Sequence, residues 1–508
     1  MTTTPPPRTG PAPEAARPTP AGSPAPSGAS DPAAPSPRTD PLARAAIALA
    51  FWVTMAGTTV PTPLYPLYQH TFGFSPFTVT VIFAVYALGV VAGLLTLGRL
   101  SDEIGRRPVL AGALLLAAGA AGLFEAADSL PWLLAARVLS GLAAALVTGA
   151  ATAALLDLAP PERRLRAQTV ALAANMGGLA GGTLLSGLLT TWVDTDAPLR
   201  LPWTVTLALT AVALIALPAV PETVGSPAGF RLRFQRLRVP ADIRPAFLRA
   251  ALTGGSGFAV LGVLTSVSGL FLATVLDMHS PALTGLVVCL AFATTAVGQL
   301  LARVLPAPRA LPTACAGLVL ASALIATALL TSTLAPLLIG ACVNGLATGT
   351  AVGTGLGAVN TGVAPQRRGE AISTFFAVLY TMLSVPVVGV GILIQATDLR
   401  TAGVTFSALV AALALVVAAG LLRHRARAAA DAPGRHEWGV RGWPRPTCPT
   451  AVPTPHGSHP RTPVPSPPSP AQPPAAPGTP GPPAAPPPVA PAAAAPAAAG
   501  ARPRAWPC

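Results

Sequence analysis

Apolar residues along this chain come in long unbroken runs, not in the alternation of a half-buried strand or the narrow stripe of a soluble helix. Runs of about 18 or more such residues recur, each long enough to cross a bilayer as a helix. Twelve spans are predicted, at approximately 42–62, 77–98, 108–126, 131–156, 167–192, 201–220, 247–275, 281–302, 310–330, 334–358, 371–395 and 401–422. The polar segments between them alternate in charge. One set holds Arg99, Arg106 and Arg107; Arg163, Arg164 and Arg166; Arg231, Arg233, Arg236 and Arg238; Arg303 and Arg309; Arg367 and Arg368; and Arg423, Arg425 and Arg427. The other set holds Glu125 and Asp128; Asp194, Asp196 and Arg200; Asp277 and His279; and Asp398 and Arg400. The arginine-rich side is expected to be cytoplasmic, and an even number of spans then puts both termini there. Trp132, Trp192 and Trp203 fall at span ends on the opposite side, where an aromatic belt belongs.

The chain also repeats itself. Ser140-Gly141-Leu142-Ala143 recurs as Asn344-Gly345-Leu346-Ala347, at an offset of 204. The charged loop Ala159-Pro160-Pro161-Glu162-Arg163-Arg164 recurs as Ala364-Pro365-Gln366-Arg367-Arg368, so spans 4–5 correspond to spans 10–11. This predicts an all-α integral membrane protein of two six-helix halves, 42–221 and 247–423, joined by a basic cytoplasmic linker at 222–246. Residues 1–41 and 424–508 are rich in proline and alanine and are expected to be disordered cytoplasmic tails that bury no core.

Composition sharpens this picture. The 508 residues are 52% hydrophobic and 10% charged, with net charge +14. In a soluble protein that charge would suggest a nucleic-acid partner. Here the arginines lie in short loops and set topology, so none is expected. All basic residues apart from histidine are arginine, and without lysine no ordinary Walker phosphate loop is possible. The five cysteines show no C-x-x-C or other ligand spacing, so neither a disulfide framework nor a metal or cofactor site is predicted. The N-terminal segment, with 13 prolines in its first 41 residues, is not a signal peptide.

The loop between spans 2 and 3 reads Gly98-Arg99-Leu100-Ser101-Asp102-Glu103-Ile104-Gly105-Arg106-Arg107. It resembles the signature G-x-L-x-D-R/K-x-G-R/K-R/K of the major facilitator superfamily of transporters. Gly98, Leu100, Asp102, Gly105, Arg106 and Arg107 match; Glu103 stands where the family has a base. The resemblance implies a secondary transporter working by alternating access. It further implies that Asp102 faces the start of span 11 near Arg368 and that Gly98, Asp102, Gly105, Arg106 and Arg107 act in conformational gating. Arg106 and Arg107 are candidates to pair with Asp157 or Glu162. In span 4, Arg137 and Gly141 resemble the family's R-x-x-x-G pattern, which is linked to proton coupling; an arginine snorkelling to the surface is the plain alternative. In span 5, Gly178, Gly182 and Gly187 match part of the antiporter signature G-x-x-x-G-P-x-x-G-G, with Thr183 in place of the proline; small-residue packing explains them equally well.

Polar residues inside spans are the candidates for the substrate cavity: Thr58, Thr59, Tyr86, Asn175, Gln299, Asn344 and Tyr380. Pro61, Pro63 and Pro66 are expected to break the end of span 1, and Pro386 to break span 11. No carboxylate falls near the middle of a span, which favours neutral or anionic over cationic substrates. The expected activity is proton-coupled efflux of drug-like or hydrophobic small molecules by a monomer in the lipid bilayer of the plasma membrane. Sugar or metabolite transport is the alternative. A membrane enzyme is distant, since no histidine lies inside a span and no catalytic cluster is visible, and so is a scaffold acting through the Pro-rich tails.

Overall fold

The computed structural model describes residues 41–194, 197–224 and 243–430. Of the predicted tails, residues 1–40 and 431–508 lie outside these residues, as do the linker arginines Arg231, Arg233, Arg236 and Arg238; residues 424–430, expected to be disordered, continue the last helix. The helices are α1 (Pro41–Thr59), α2 (Tyr65–Phe72), α3 (Pro76–Leu97), α4 (Leu100–Glu103), α5 (Arg106–Glu125), α6 (Leu130–Asp157), α7 (Arg164–Trp192), α8 (Leu201–Ala216), α9 (Arg244–Val275), α10 (Pro281–Val304), α11 (Ala307–Thr331), α12 (Leu334–Gly362), α13 (Pro365–Ala396) and α14 (Leu399–Ala430). All but α2 belong to twelve helical spans long and apolar enough to cross a membrane, the second of which, Pro76–Glu103, takes in both α3 and α4. They take up the predicted spans 1 to 12 in order.

Local chemistry sets the starts. Ser75 caps α3 by accepting the Thr78 amide at 3.3 Å, with Pro76 in the first turn. Ser280 and Pro281 do the same for α10, where the Leu283 amide is the donor at 3.3 Å. Helices α13 and α14 run further than predicted because their polar flanks, rich in Ala, Arg, Glu and Gln, are themselves good helix formers. At the end of α1 the prolines act as expected. The helix stops at Thr59, a turn follows, and α2 begins at Tyr65 and ends on the left-handed Gly73 (φ 68°). Pro386 departs from expectation, since α13 continues through it to Ala396. A transmembrane proline removes one backbone bond without ending the helix when neighbouring helices hold both sides.

Helices α1, α3, α5, α6, α7 and α8 pack on one another, as do α9 to α14. The halves meet mainly along α7 against α10 and α3 against α13. Small residues allow these approaches, since hydrocarbon gives helices no hydrophobic reason to associate. At the α3–α6 crossing, a Cβ on Gly141 would lie 2.8 Å from the Val90 amide nitrogen.

Trp132 and Trp192 are exposed at one end of the helices, as a belt requires, but Trp203 is buried. Its ring stacks on Phe124 with centroids 4.2 Å apart, and its indole N–H donates to the Tyr68 hydroxyl at 2.9 Å. Below, this end is called the tryptophan end. The other, which carries Arg99, Arg106, Arg303 and Arg368, is called the basic end.

Candidate functional site

Between the halves lies a cavity lined from both sides. Thr58 and Thr59 of α1, Tyr86 of α3 and Asn175 of α7 face it from one half; Phe258, Phe292 and Tyr380 face it from the other. Five of the seven candidates predicted from sequence thus converge. The Tyr86 and Tyr380 rings meet edge-to-face across the interface, with centroids 6.4 Å apart. The Asn175 Oδ1 has no partner. No charged residue is among the described residues of the lining. The other two candidates sit elsewhere. Asn344 is fully buried, and its side-chain amide donates to the Gly257 carbonyl at 3.4 Å, joining α12 to α9. Gln299 lies where α10 crosses α12, its backbone against Gly349 and Gly353. Each is a polar residue in an apolar run, and the Asn344 side chain is turned toward a neighbouring helix instead of the cavity.

Arg137 is completely buried, so it does not snorkel. The prolines of the α1–α2 turn explain how it is held. With α1 ended, the Thr62 amide bonds to the Thr59 carbonyl at 3.0 Å, not to that of Thr58 four residues before it. The freed Thr58 carbonyl accepts Arg137 Nη1 at 2.7 Å, and Nη2 donates to the Tyr65 hydroxyl. The guanidinium lies 5.6 Å from each of the ring centroids of Tyr65, Tyr86 and Phe124. Arg137 Nε has no partner, and no carboxylate pairs with the side chain among the described residues. Aromatic faces and a carbonyl thus stabilise the buried cation in place of an anion. Thr58 and Tyr86 also line the cavity, so the charge stands one layer behind its wall.

At the basic end the 98–107 turn ties several elements together. Arg106 bonds to Ser101 at 2.8 Å and to Asp102 within the turn, and to Asp157 at the end of α6 at 3.2 Å. Glu222, just beyond the sixth span, accepts the Arg106 and Arg107 amides at 2.8 and 3.0 Å and so caps α5. This explains Gly105. Its φ is +109°, and a Cβ there would lie 2.6 Å from a Glu222 carboxylate oxygen. Gly98 has an ordinary helical φ of −61°. Arg107 is exposed, and its backbone N–H donates to Glu222. Asp102 sits differently from what the resemblance implies. Its partner is Arg106 of its own loop, and the bridge to the start of span 11 is made by Arg99 to Glu370 at 2.8 Å. Burial raises the Glu222 pKa, but the four backbone N–H groups it accepts outweigh this and leave it below the ordinary glutamate value. Sequence reasoning missed Glu222, whose partner lies 116 residues away.

In α7 the glycines of the antiporter-like segment are used for close packing. A Cβ on Gly178 would lie 2.5 Å from the Trp52 carbonyl of α1, and one on Gly187 would lie 2.5 Å from the Pro281 carbonyl of α10. Thr183 Oγ1 reaches the Gly285 carbonyl at 3.2 Å, again across the two halves.

Two six-helix halves enclosing a cavity between them, tied at one end by a polar network, have the architecture of a membrane carrier. A family model for the Major Facilitator Superfamily matches residues 47–387, and the chain belongs to that family of transporters. It is 31% identical over 163 residues to the cephamycin export protein CmcT of Amycolatopsis lactamdurans, over 31% of this chain and 34% of that protein. It is 30% identical over 128 residues to the inner membrane transport protein YnfM of Escherichia coli, over 25% of this chain and 31% of that protein. The matched regions span about a third of these relatives. Among solved structures, a bacterial homologue of the human lysosomal transporter Spinster, inward-facing and occupied, superposes with a TM-score of 0.58 at 16% identity. That match covers 75% of this chain and 96% of the other, a likeness of fold.

Proposed function

We propose that this multi-pass membrane transporter exports uncharged or anionic hydrophobic compounds, driven by the proton gradient, as a monomer in the plasma membrane with both termini cytoplasmic. The observation that carries the reading is the cavity itself. It is lined from both halves, and its walls offer aromatic faces and a few hydroxyl and amide groups, the make-up of a site for a hydrophobic small molecule. A cationic substrate would find no anionic partner among the described lining residues, whereas the Arg137 charge behind Tyr86 favours electron-rich or anionic groups. The export direction is supported by the likeness to a cephamycin exporter. Arginine does not release its proton in proteins. The coupled proton therefore rides on a carboxylate at a span end, with Asp102, Asp157 and Glu370 at the basic end as candidates, while Arg137 positions the neighbouring helices.

The test is transport into inverted vesicles carrying an imposed pH gradient, with a panel of dyes and antibiotics, normalised to folded protein. Flux is expected to follow the gradient, and Asp102→Asn and Arg137→Ala are each expected to lower it about tenfold or more. Flux that ignores the gradient sinks the proton-coupled reading. A panel in which sugars or organic acids move and hydrophobic compounds do not sinks the efflux reading.

A further inference from the structure

The two seams between the halves are charged differently at the basic end. Along α3 and α13, Arg99 meets a carboxylate, that of Glu370. Along α7 and α10 an arginine also crosses, but it meets a hydroxyl: Arg303 Nη1 donates to Thr169 Oγ1 at 3.0 Å. Thr169 Oγ1 in turn donates to the Leu165 carbonyl one turn earlier, at 3.0 Å. Arg166, three residues before Thr169, stands on that same face of α7. Arg163 and Arg164 precede it, and all four arginines are exposed. None of them forms an ion pair among the described residues, and neither does Glu162 beside them. Closing this seam therefore gathers cations from both halves, and their repulsion opposes closure unless an anion comes between them. Next to the arginines the surface turns apolar. Val297, Leu300, Leu301 and Val304 are exposed along α10 at the i, i+3, i+4, i+7 spacing of a single face, and Val170 is exposed on α7. Leu300 lies one turn before Arg303, and Arg303 ends a span of 24 residues, at the level of lipid headgroups.

We propose that an anionic phospholipid binds across this seam, its phosphate between Arg166 and Arg303 and its acyl chains along the exposed face of α10. Guanidinium groups hold phosphate oxygens through charge-assisted, often paired hydrogen bonds. Basic positions between helices at a membrane surface suit such headgroups. The lipid supplies the anion that the two halves lack here, and so fastens the basic end. A free phosphate would satisfy the arginines and leave the apolar face unused; a phospholipid matches both. Neither arginine lines the transport cavity, so the site is separate from the path of the transported compound.

The experiment places the full-length protein in phosphatidylcholine nanodiscs with a trace of phosphatidylglycerol that carries a diazirine on an acyl chain. After illumination, adducts are expected on α10 around Val297–Val304 and on α7 around Leu165–Val170. Excess unlabelled phosphatidylglycerol should suppress them, and excess phosphatidylcholine should not. The double variant Arg166→Gln, Arg303→Gln should lower this labelling about fivefold or more. Arg107→Gln with Arg367→Gln removes as much charge from the same end, on α5 and α13, and should leave it unchanged. Equal melting temperatures show that both variants are folded. A second readout needs no variant. Spin labels on the ends of α3 and α13, away from the site, should show the closed basic end gaining about threefold in population when phosphatidylglycerol replaces part of the phosphatidylcholine. Equal labelling in the two double variants, or an equal yield from a phosphatidylcholine probe, would overturn the proposal. So would closure by inorganic phosphate in phosphatidylcholine alone, which would make the occupant a free anion, or spin-label distances indifferent to the lipid.

Discussion

The two ends of the interface between the halves are built from different materials. At the tryptophan end, α7 and α10 meet backbone to backbone, while α13 and the start of α3 share one exposed side-chain bond, Gln395 Nε2 to Ser75 Oγ at 3.4 Å. A Cβ on Gly285 would lie 2.5 Å from the Thr183 carbonyl, Gly187 presses on Pro281, and the Ala282 amide donates to Thr191 Oγ1 at 2.9 Å. At the basic end, the bonds between the halves among the described residues come from side-chain tips. They are Arg99 to Glu370 at 2.8 Å and Arg303 to Thr169 at 3.0 Å, with the Arg99 side chain 44% exposed. Dense backbone packing cannot loosen gradually, because dispersion falls steeply with separation. Exposed ion pairs are worth about 0–1 kcal/mol and exchange readily with water. In this conformation the tryptophan end is shut tightly and the basic end is only latched. The lesson is that one interface can be closed by two kinds of surface, dense backbone packing at one end and exposed side-chain pairs at the other.

The largest effect is expected from removing Arg137, which braces the tryptophan end. Arg137→Ala leaves the Thr58 carbonyl and Tyr65 hydroxyl without their partner and opens space among three aromatic rings. A loss of about 3 kcal/mol is expected, weighing the orphaned groups and the cavity against relief of a buried charge. Thermal unfolding in detergent followed by tryptophan fluorescence would report it. Arg137→Lys keeps the charge without the fork and should recover only part of the loss. An unchanged melting temperature for Arg137→Ala would remove the brace from the comparison.

Next is a wedge at the tight end. Gly285→Leu must push α10 away from α7, and overpacking of this kind costs about 1–3 kcal/mol. That moves a two-state equilibrium by about fivefold to a hundredfold away from the shut tryptophan end. Spin labels at the exposed Trp192 and Met278 positions would read the change as a longer distance population. If the wedge left that distribution as it was, backbone packing would not be what closes this end.

How much of this was visible in the sequence depends on whether the constraint is local. Twelve spans were legible because bilayer thickness imposes a length on each apolar run, and the α1 break was legible because proline punishes its own helix. The α13 break was not, since α13 holds its shape across Pro386 with its neighbours' support. Tyr86 and Asn344 look alike in sequence, each a polar residue in an apolar run, yet one faces the cavity and the other faces α9. That difference is helix rotation, which an all-apolar periphery does not encode. Arg137 could be singled out as a costly buried charge, but its cage joins Tyr65, Tyr86 and Phe124 from three separate helices. Glu222 carried no signal of its own because a cap supplied from another element shows no spacing.

A smaller effect is expected at Glu222, which supports the latched end through α5. Its pKa is lowered in the fold, so its contribution is present above the unfolded value of 4.5 and is lost as pH falls through the lower folded value. Glu222→Gln keeps an acceptor but not the charge, and should cost about 1 kcal/mol. Its signature is a flatter dependence of melting temperature on pH below about 5 than the parent shows. Parallel curves for the two proteins would mean that other carboxylates set the acid limit.

The smallest effect tests the latch most directly. Arg99→Gln and Glu370→Gln each remove one partner of an ion pair whose side chains are 44% and 25% exposed. At such exposure the pair contributes at most about 1 kcal/mol. Either variant should therefore open the basic end by no more than about fivefold, read by spin labels placed on the ends of α3 and α13. The double variant should match the single ones, because once one partner is gone the other has nothing left to lose. Molar salt should bring the parent close to the variants, since exposed charges are screened. The wedge at Gly285, which involves no charge, should be indifferent to the same salt. A basic end that resists both substitutions and salt would mean that the two ends are closed by the same kind of contact.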